Sequence, residues 1–117
     1  MIIYKQFTFD AAHYLPHVTD HHKCKKTHGH TYHLTLFFDG NISPDMGWII
    51  DYSEIKNVVT PILKLVDHQF LNEVEGLENP TCELICIWLW KKIKPLITEL
   101  KRIELKETPT SGAIYEG

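Results

Sequence analysis

A basic excess is missing from this chain. Of its 117 residues, 12 are lysine or arginine and 15 are aspartate or glutamate, a formal net charge of −3. Nothing is set aside to neutralise a phosphate backbone, so nucleic-acid binding is not expected. Long hydrophobic runs are missing as well: no stretch approaches the roughly 18 consecutive apolar residues of a membrane span. The opening Met1-Ile2-Ile3-Tyr4-Lys5 alternates at once and lacks the basic-then-apolar layout of a signal peptide. Cysteine is scarce, three residues at spacings that suit no disulfide framework. Repeats, low-complexity tracts, linker-like breaks and the glycine motif of dinucleotide binders are all absent. What remains is a single domain over residues 1–117, made in a reducing cytoplasm, with enough apolar content (44%) for one real core.

Histidine, by contrast, is plentiful. There are eight, most of them between His13 and His33. The densest information lies in His28-Gly29-His30, with Cys24 four residues upstream. Two imidazoles at i and i+2 on a strand leave the same face. Their Cα atoms are about 6.7 Å apart, and inward-tilted rings can meet one metal ion at about 2.0–2.1 Å. Gly29 places no side chain on the reverse face. Residues 2–13 alternate as a strand with Ile3, Phe7, Phe9, Ala11 and His13 on one face, so His13 ends an apolar row and supplies a third imidazole. Three histidines leave an open coordination position, the arrangement of a catalytic zinc. The plainer alternative is three partly buried histidines satisfied by backbone carbonyls; the zinc reading is favoured. His33 has the wrong parity for this set, and His17, His21 and His22 fall in a polar loop.

That loop, residues 14–27, is long for so small a domain and is expected to be functional. A second strand covers about 28–39, with His28, His30, Leu34, Leu36 and Phe38 on one face. From Ser53 the period becomes helical through Ile55, Val58, Val59, Ile62 and Val66, with Pro61 expected to kink the helix and Asp67-His68 at its end. Asn79-Pro80 is expected to cap a second helix whose buried stripe is Leu84, Ile85, Trp88, Leu89, Ile93 and Leu96. Residues 102–108 and 113–115 read as two further strands. The order ββααββ describes an α+β domain, an antiparallel sheet with both helices on one face.

Cys24 lies between Lys23, Lys25 and Lys26, neighbours that favour the thiolate needed for proton transfer. It is read as reactive rather than as a fourth metal ligand, which would close the site and make it structural. Cys82 and Cys86 are expected to be inert and buried. Asp67-His68 is either a surface accident or a relay in which the acid orients and charges the base. Glu107 continues the inward row Ile103, Leu105. A carboxylate there needs partners, such as a ligand offering two adjacent N–H groups; the alternative is a strand-end glutamate already in water.

Taken together, the motifs Phe9-Asp-Ala-Ala-His13, Lys23-Cys24-x-x-x-His28-Gly-His30, Gly47-Trp-Ile-Ile-Asp51, Leu65-Val-Asp67-His68, Leu71-Asn72, Glu78-Asn-Pro-Thr-Cys-Glu83, Lys106-Glu107-Thr108 and Ile114-Tyr115 resemble the 6-pyruvoyl-tetrahydropterin synthase superfamily nearly end to end. The three-residue gap before His-Gly-His is most similar to its queuosine branch, the 6-carboxy-tetrahydropterin synthases. The resemblance implies a tunnelling fold (T-fold) that oligomerises into a barrel, as a hexamer made of two trimers with active sites between subunits. It implies zinc on His13, His28 and His30, Cys24 as proton acceptor, and Asp67 with His68 as a charge relay. It further implies Glu107 as the anchor of the pterin ring, with Thr81 and Glu83 lining its pocket. The implied reaction converts 7,8-dihydroneopterin triphosphate to 6-carboxytetrahydropterin, acetaldehyde and triphosphate. Elimination to a pyruvoyl product, or a non-catalytic zinc- or pterin-binding module, are the alternatives. The lysines beside Cys24 are expected to hold the triphosphate.

Overall fold

The computed structural model describes residues 1–117. Its long strands are β1 (Ile2–His13) and β2 (His28–Asp39), followed by α1 (Tyr52–Leu63), a two-residue strand β3 (Gln69–Phe70), α2 (Cys82–Ile93), β4 (Leu100–Thr108) and β5 (Ser111–Tyr115). The sheet order is β3-β1-β2-β4-β5. All neighbours are antiparallel except β3, which lies parallel to β1 through Ala11 and Ala12. No helix is long and apolar enough to cross a membrane.

The expected parity holds along both long strands. Phe9, Ala11 and His13 of β1 face inward with Tyr32, Leu34, Leu36 and Phe38 of β2, and Ile103 and Leu105 of β4 join them. Ile55, Val59 and Ile62 of α1 and Ile85, Leu89 and Ile93 of α2 complete one continuous core of 23 buried residues. His33 faces away and is exposed.

The structure departs from the expected ββααββ order and bounds: β3 is an additional short strand, parallel to β1, and β4 and β5 begin at Leu100 and Ser111 rather than at 102 and 113. Helix α1 runs through Pro61 but stops at Leu63, so Asp67 and His68 lie in the turns beyond it; Val66 is buried there rather than in the helix. Helix α2 is capped by Thr81, not Asn79: the threonine hydroxyl accepts from the Leu84 N–H at 3.3 Å. Pro80 stays outside the helix with its carbonyl bonded to His13. The buried stripe of α2 uses Cys82, Ile85, Cys86, Trp88, Leu89 and Ile93, leaving Leu84 and Leu96 exposed. Small thiols fill the places next to the sheet, with Cys82 Sγ 3.4 Å from the Leu105 carbonyl oxygen. Both buried cysteines are packing residues, as expected.

Candidate metal centre and adjoining cleft

The antiparallel ladder sets His13 directly opposite His28, and Ala11 opposite His30. Because all three histidines point to the helix-covered face, their rings converge at the end of β1 and the start of β2. Ring centroids are 4.6 to 5.0 Å apart. Nε2 of His13 lies 3.1 Å from Nε2 of His28. Glu107 reaches the same point from β4, with Oε1 2.9 Å from His30 Nε2 and 3.7 Å from His13 Nε2. One donor atom from each of His13, His28, His30 and Glu107 lies within 4.8 Å of the others.

Backbone carbonyls set which nitrogen each ring presents. Nδ1–H of His13 donates to the Pro80 oxygen at 2.8 Å, and Nδ1–H of His28 donates to the Lys26 oxygen at 2.7 Å. A carbonyl can only accept, so both rings carry their proton on Nδ1 and turn an Nε2 lone pair into the cluster. Two lone pairs 3.1 Å apart repel unless a proton or a cation lies between them. Burial lowers the pKa of His13 and of His30, which works against the proton. His30 Nε2 is buried without a hydrogen-bond partner, since the nearby Glu107 oxygen does not lie where a ring N–H would point. Outward-held protons, converging lone pairs and a carboxylate fit a divalent metal bound by nitrogen and oxygen, and zinc accepts this donor set.

Glu107 owes its position to a bulge. Lys106 pairs with Gly112 and Thr108 with Ser111, leaving Glu107 as the extra residue in β4. Bulges re-aim side chains in this way. Alternation along β4 correctly turns Glu107 inward, but nothing in the local pattern shows that it comes within reach of the histidines. Gly29, in turn, is not demanded by space: a Cβ there would rest 3.7 Å from the Ala11 carbonyl oxygen.

A cleft of about 410 Å³ opens beside the cluster, lined by Lys23, Cys24, His28, His30, Glu107, Thr108 and Ser111. Cys24 therefore faces the same space as the histidines, though its sulfur stands outside the group of converging donors. Its loop is anchored through the backbone: the Cys24 oxygen accepts from Leu15 N–H at 2.8 Å and its N–H donates to His22 Nδ1 at 3.0 Å. Asn72 ties down the start of the loop, bonding both the N–H and the carbonyl of Tyr14. The three lysines do not act as one group. Lys25 is committed to the loop, with Nζ on the carbonyls of Pro16 and Val18 at 2.8 and 3.4 Å; only Lys23 lines the cleft. Thr81 and Glu83, at the start of α2, lie outside it, and the Thr81 hydroxyl is engaged in capping.

Asp67 and His68 are elsewhere. Asp10 N–H donates to Asp67 Oδ1 at 3.0 Å, and His68 N–H donates to the Asp10 oxygen at 2.6 Å. These bonds clamp the turn onto the outer edge of β1. The acidic side chain of Asp10 lies on the face opposite His13, and Asp67 and His68 gather beside it. His68 holds φ +57°, the only non-glycine residue with positive φ. Its Nδ1 is 3.0 Å from Asp67 Oδ2.

The bond from Asp67 raises the His68 pKa, and Asp67 is lowered, chiefly by the Asp10 N–H and then by His68. The pair therefore favours the charged imidazole more than water alone does. The pair's stabilisation is thus complete below the ordinary histidine pKa and is lost as pH rises through the raised value. Exposure keeps that stabilisation small. Asp67→Asn is expected to move the His68 titration, followed by NMR, to lower pH; an unmoved titration would show that the pair is not coupled.

Sheet, helices and converging donors together define a T-fold domain with a candidate metal centre at one end of its two long strands. The chain belongs to the 6-pyruvoyl tetrahydropterin synthase family, whose model matches residues 2–117. It is 37% identical to a 6-carboxy-5,6,7,8-tetrahydropterin synthase of Synechocystis sp., over 97% of this chain and 92% of that one. It is 35% identical to a dihydroneopterin monophosphate aldolase of Pyrococcus furiosus, over 98% and 96% of the two chains. The fold superposes on Caenorhabditis elegans 6-pyruvoyl tetrahydropterin synthase with a TM-score of 0.93 at 26% identity, covering 100% of this chain and 95% of that one.

Proposed function

We propose that this chain is a zinc-dependent carbon–carbon lyase, a 6-carboxy-5,6,7,8-tetrahydropterin synthase of the cytoplasm acting in queuosine biosynthesis. Its substrates are 7,8-dihydroneopterin triphosphate and one water, and its products are 6-carboxytetrahydropterin, acetaldehyde and triphosphate. The observation that carries the reading is the convergence of His13, His28, His30 and Glu107 beside a cleft that Cys24 also lines, in a chain similar along its length to a synthase of that name.

His13, His28 and His30 would hold the zinc, which would supply Lewis-acid polarisation for the substrate's side-chain hydroxyls. Glu107, with its side chain 24% exposed, accepts hydrogen bonds from the pterin's 2-amino group and ring N–H and so fixes the ring. Thr81 and Glu83 lie outside the cleft and are given no contact with the pterin. Cys24 takes the proton from the activated carbon, and the Asp67–His68 relay handles the second proton transfer. Oxidation of the first side-chain carbon is balanced by reduction within the same molecule. Triphosphate leaves, and one water adds to the first side-chain carbon and supplies the second carboxyl oxygen. The bond between the first and second side-chain carbons breaks, and the two outer carbons depart as acetaldehyde.

In one chain the relay lies across β1 from the cleft, so the reading places active sites between subunits of a homohexamer built from two trimers. Two unpaired edges support this: residues 2–9 of β1 lack a strand partner on the side of β3, and β5 ends the sheet.

Glu107→Gln is expected to keep one zinc per chain while raising KM tenfold to about a hundredfold, the size of a lost charged hydrogen bond. Loss of zinc from this variant would make Glu107 a ligand instead. Lys23→Ala is expected to raise KM several-fold and flatten its salt dependence, whereas Lys25→Ala should leave the salt dependence unchanged. Equal effects of the two would remove the phosphate role from Lys23.

The similarity to a dihydroneopterin monophosphate aldolase supports a second reading on the same residues. Product analysis by mass spectrometry separates the two. The synthase releases acetaldehyde, while aldol-type cleavage of a monophosphate leaves the phosphate on the two-carbon fragment.

A further inference from the structure

One buried polar group has no part in the proposed chemistry: the hydroxyl of Tyr32. This residue follows His30 by two positions on the same face of β2 and is wholly enclosed. Its ring stacks on Phe9, its partner across the ladder, with centroids 4.8 Å and planes 12° apart. It meets the rings of His13 and His30 edge-on, at 6.2 and 5.6 Å. The hydroxyl oxygen lies 3.4 Å from Nδ1 of His13, its one hydrogen-bonding partner in the chain.

That nitrogen already donates to the Pro80 oxygen at 2.8 Å. Two acceptors therefore share one N–H, the main arm going to the carbonyl and the longer arm to the phenol. A carbonyl alone leaves the imidazole free to swing about that single bond. A second oxygen from another direction removes the swing, while the carbonyl, which can only accept, sets the tautomer. Stacking on Phe9 holds the phenol itself in place.

We infer that Tyr32 is a positioning residue of the metal centre: its hydroxyl fixes the plane of His13, and its ring is the floor on which His13 and His30 stand. The inference rests on reading the histidines as metal ligands. Partners of this kind behind a ligating histidine change metal affinity by roughly tenfold to a hundredfold.

Tyr32→Phe deletes the hydroxyl and keeps the stacked ring. Zinc-loaded wild type and variant are titrated with a competing chelator, and the cobalt-substituted forms are compared by visible absorption. The variant is expected to bind zinc at least about tenfold more weakly and to show a shifted cobalt d–d band, with a melting temperature within about 2 °C of wild type after chelator stripping. Equal zinc affinity with an unchanged cobalt spectrum overturns the inference alone. Failure of wild type to bind zinc overturns it together with the metal reading. A measurement on unaltered protein covers a variant that does not fold. In zinc-loaded chain with ¹⁵N-labelled histidine, His13 is expected to show a slowly exchanging Nδ1–H, and a His13 proton on Nε2 would overturn the inference.

Discussion

His28→Ala is expected to give a folded, metal-free protein with turnover reduced at least about a thousandfold. A bound metal contributes several kcal/mol to transition-state stabilisation, and each 1.4 kcal/mol is tenfold in rate. His28 is the right ligand to remove because it stands at the start of β2 and outside the 23-residue core. His13 would be a poor choice: it is wholly buried and bonded to the carbonyl that precedes α2, so its loss would mix folding with chemistry. Metal analysis, thermal unfolding and product formation on the same preparation check the expectation. Retention of stoichiometric metal would show that His28 is not a ligand.

Cys24→Ala separates the second role. It is expected to keep one zinc per chain and lose about a hundredfold to ten-thousandfold in turnover, the range for a positioned proton acceptor. The cysteine's two loop bonds run through its backbone N–H and carbonyl, so alanine leaves the loop as it is. Its sulfur stands outside the group of converging donors, which is why metal retention is expected. If zinc left with the thiol, Cys24 would be a fourth ligand and the centre would be closed.

How far these roles were legible from sequence depends on the range of the interaction. Strand parity was legible, because alternation is local: it put His13, His28, His30 and Glu107 on one face, as the structure does. It also excluded His33. Helix boundaries were less so. Thr81 caps α2 in place of Asn79 partly because His13, 67 positions away, takes the Pro80 carbonyl. The split among the lysines was hidden because Lys25 answers to carbonyls of its own loop. Equally hidden were the bulge that brings Glu107 within 2.9 Å of His30 and the clamp that holds Asp67 and His68 on the far side of β1. Tyr32 carried a signal that went unused, since its parity places it directly behind the histidines.

The most direct test is to strip metal from the protein with a chelator, supply 7,8-dihydroneopterin triphosphate, and follow acetaldehyde and 6-carboxytetrahydropterin by mass spectrometry while zinc is added back. The expected result is no acetaldehyde from metal-free protein, and release that rises with zinc and levels off at one equivalent per chain. Acetaldehyde formed at full rate without metal, or zinc bound at one equivalent with no cleavage, would contradict a zinc-dependent lyase built on His13, His28 and His30.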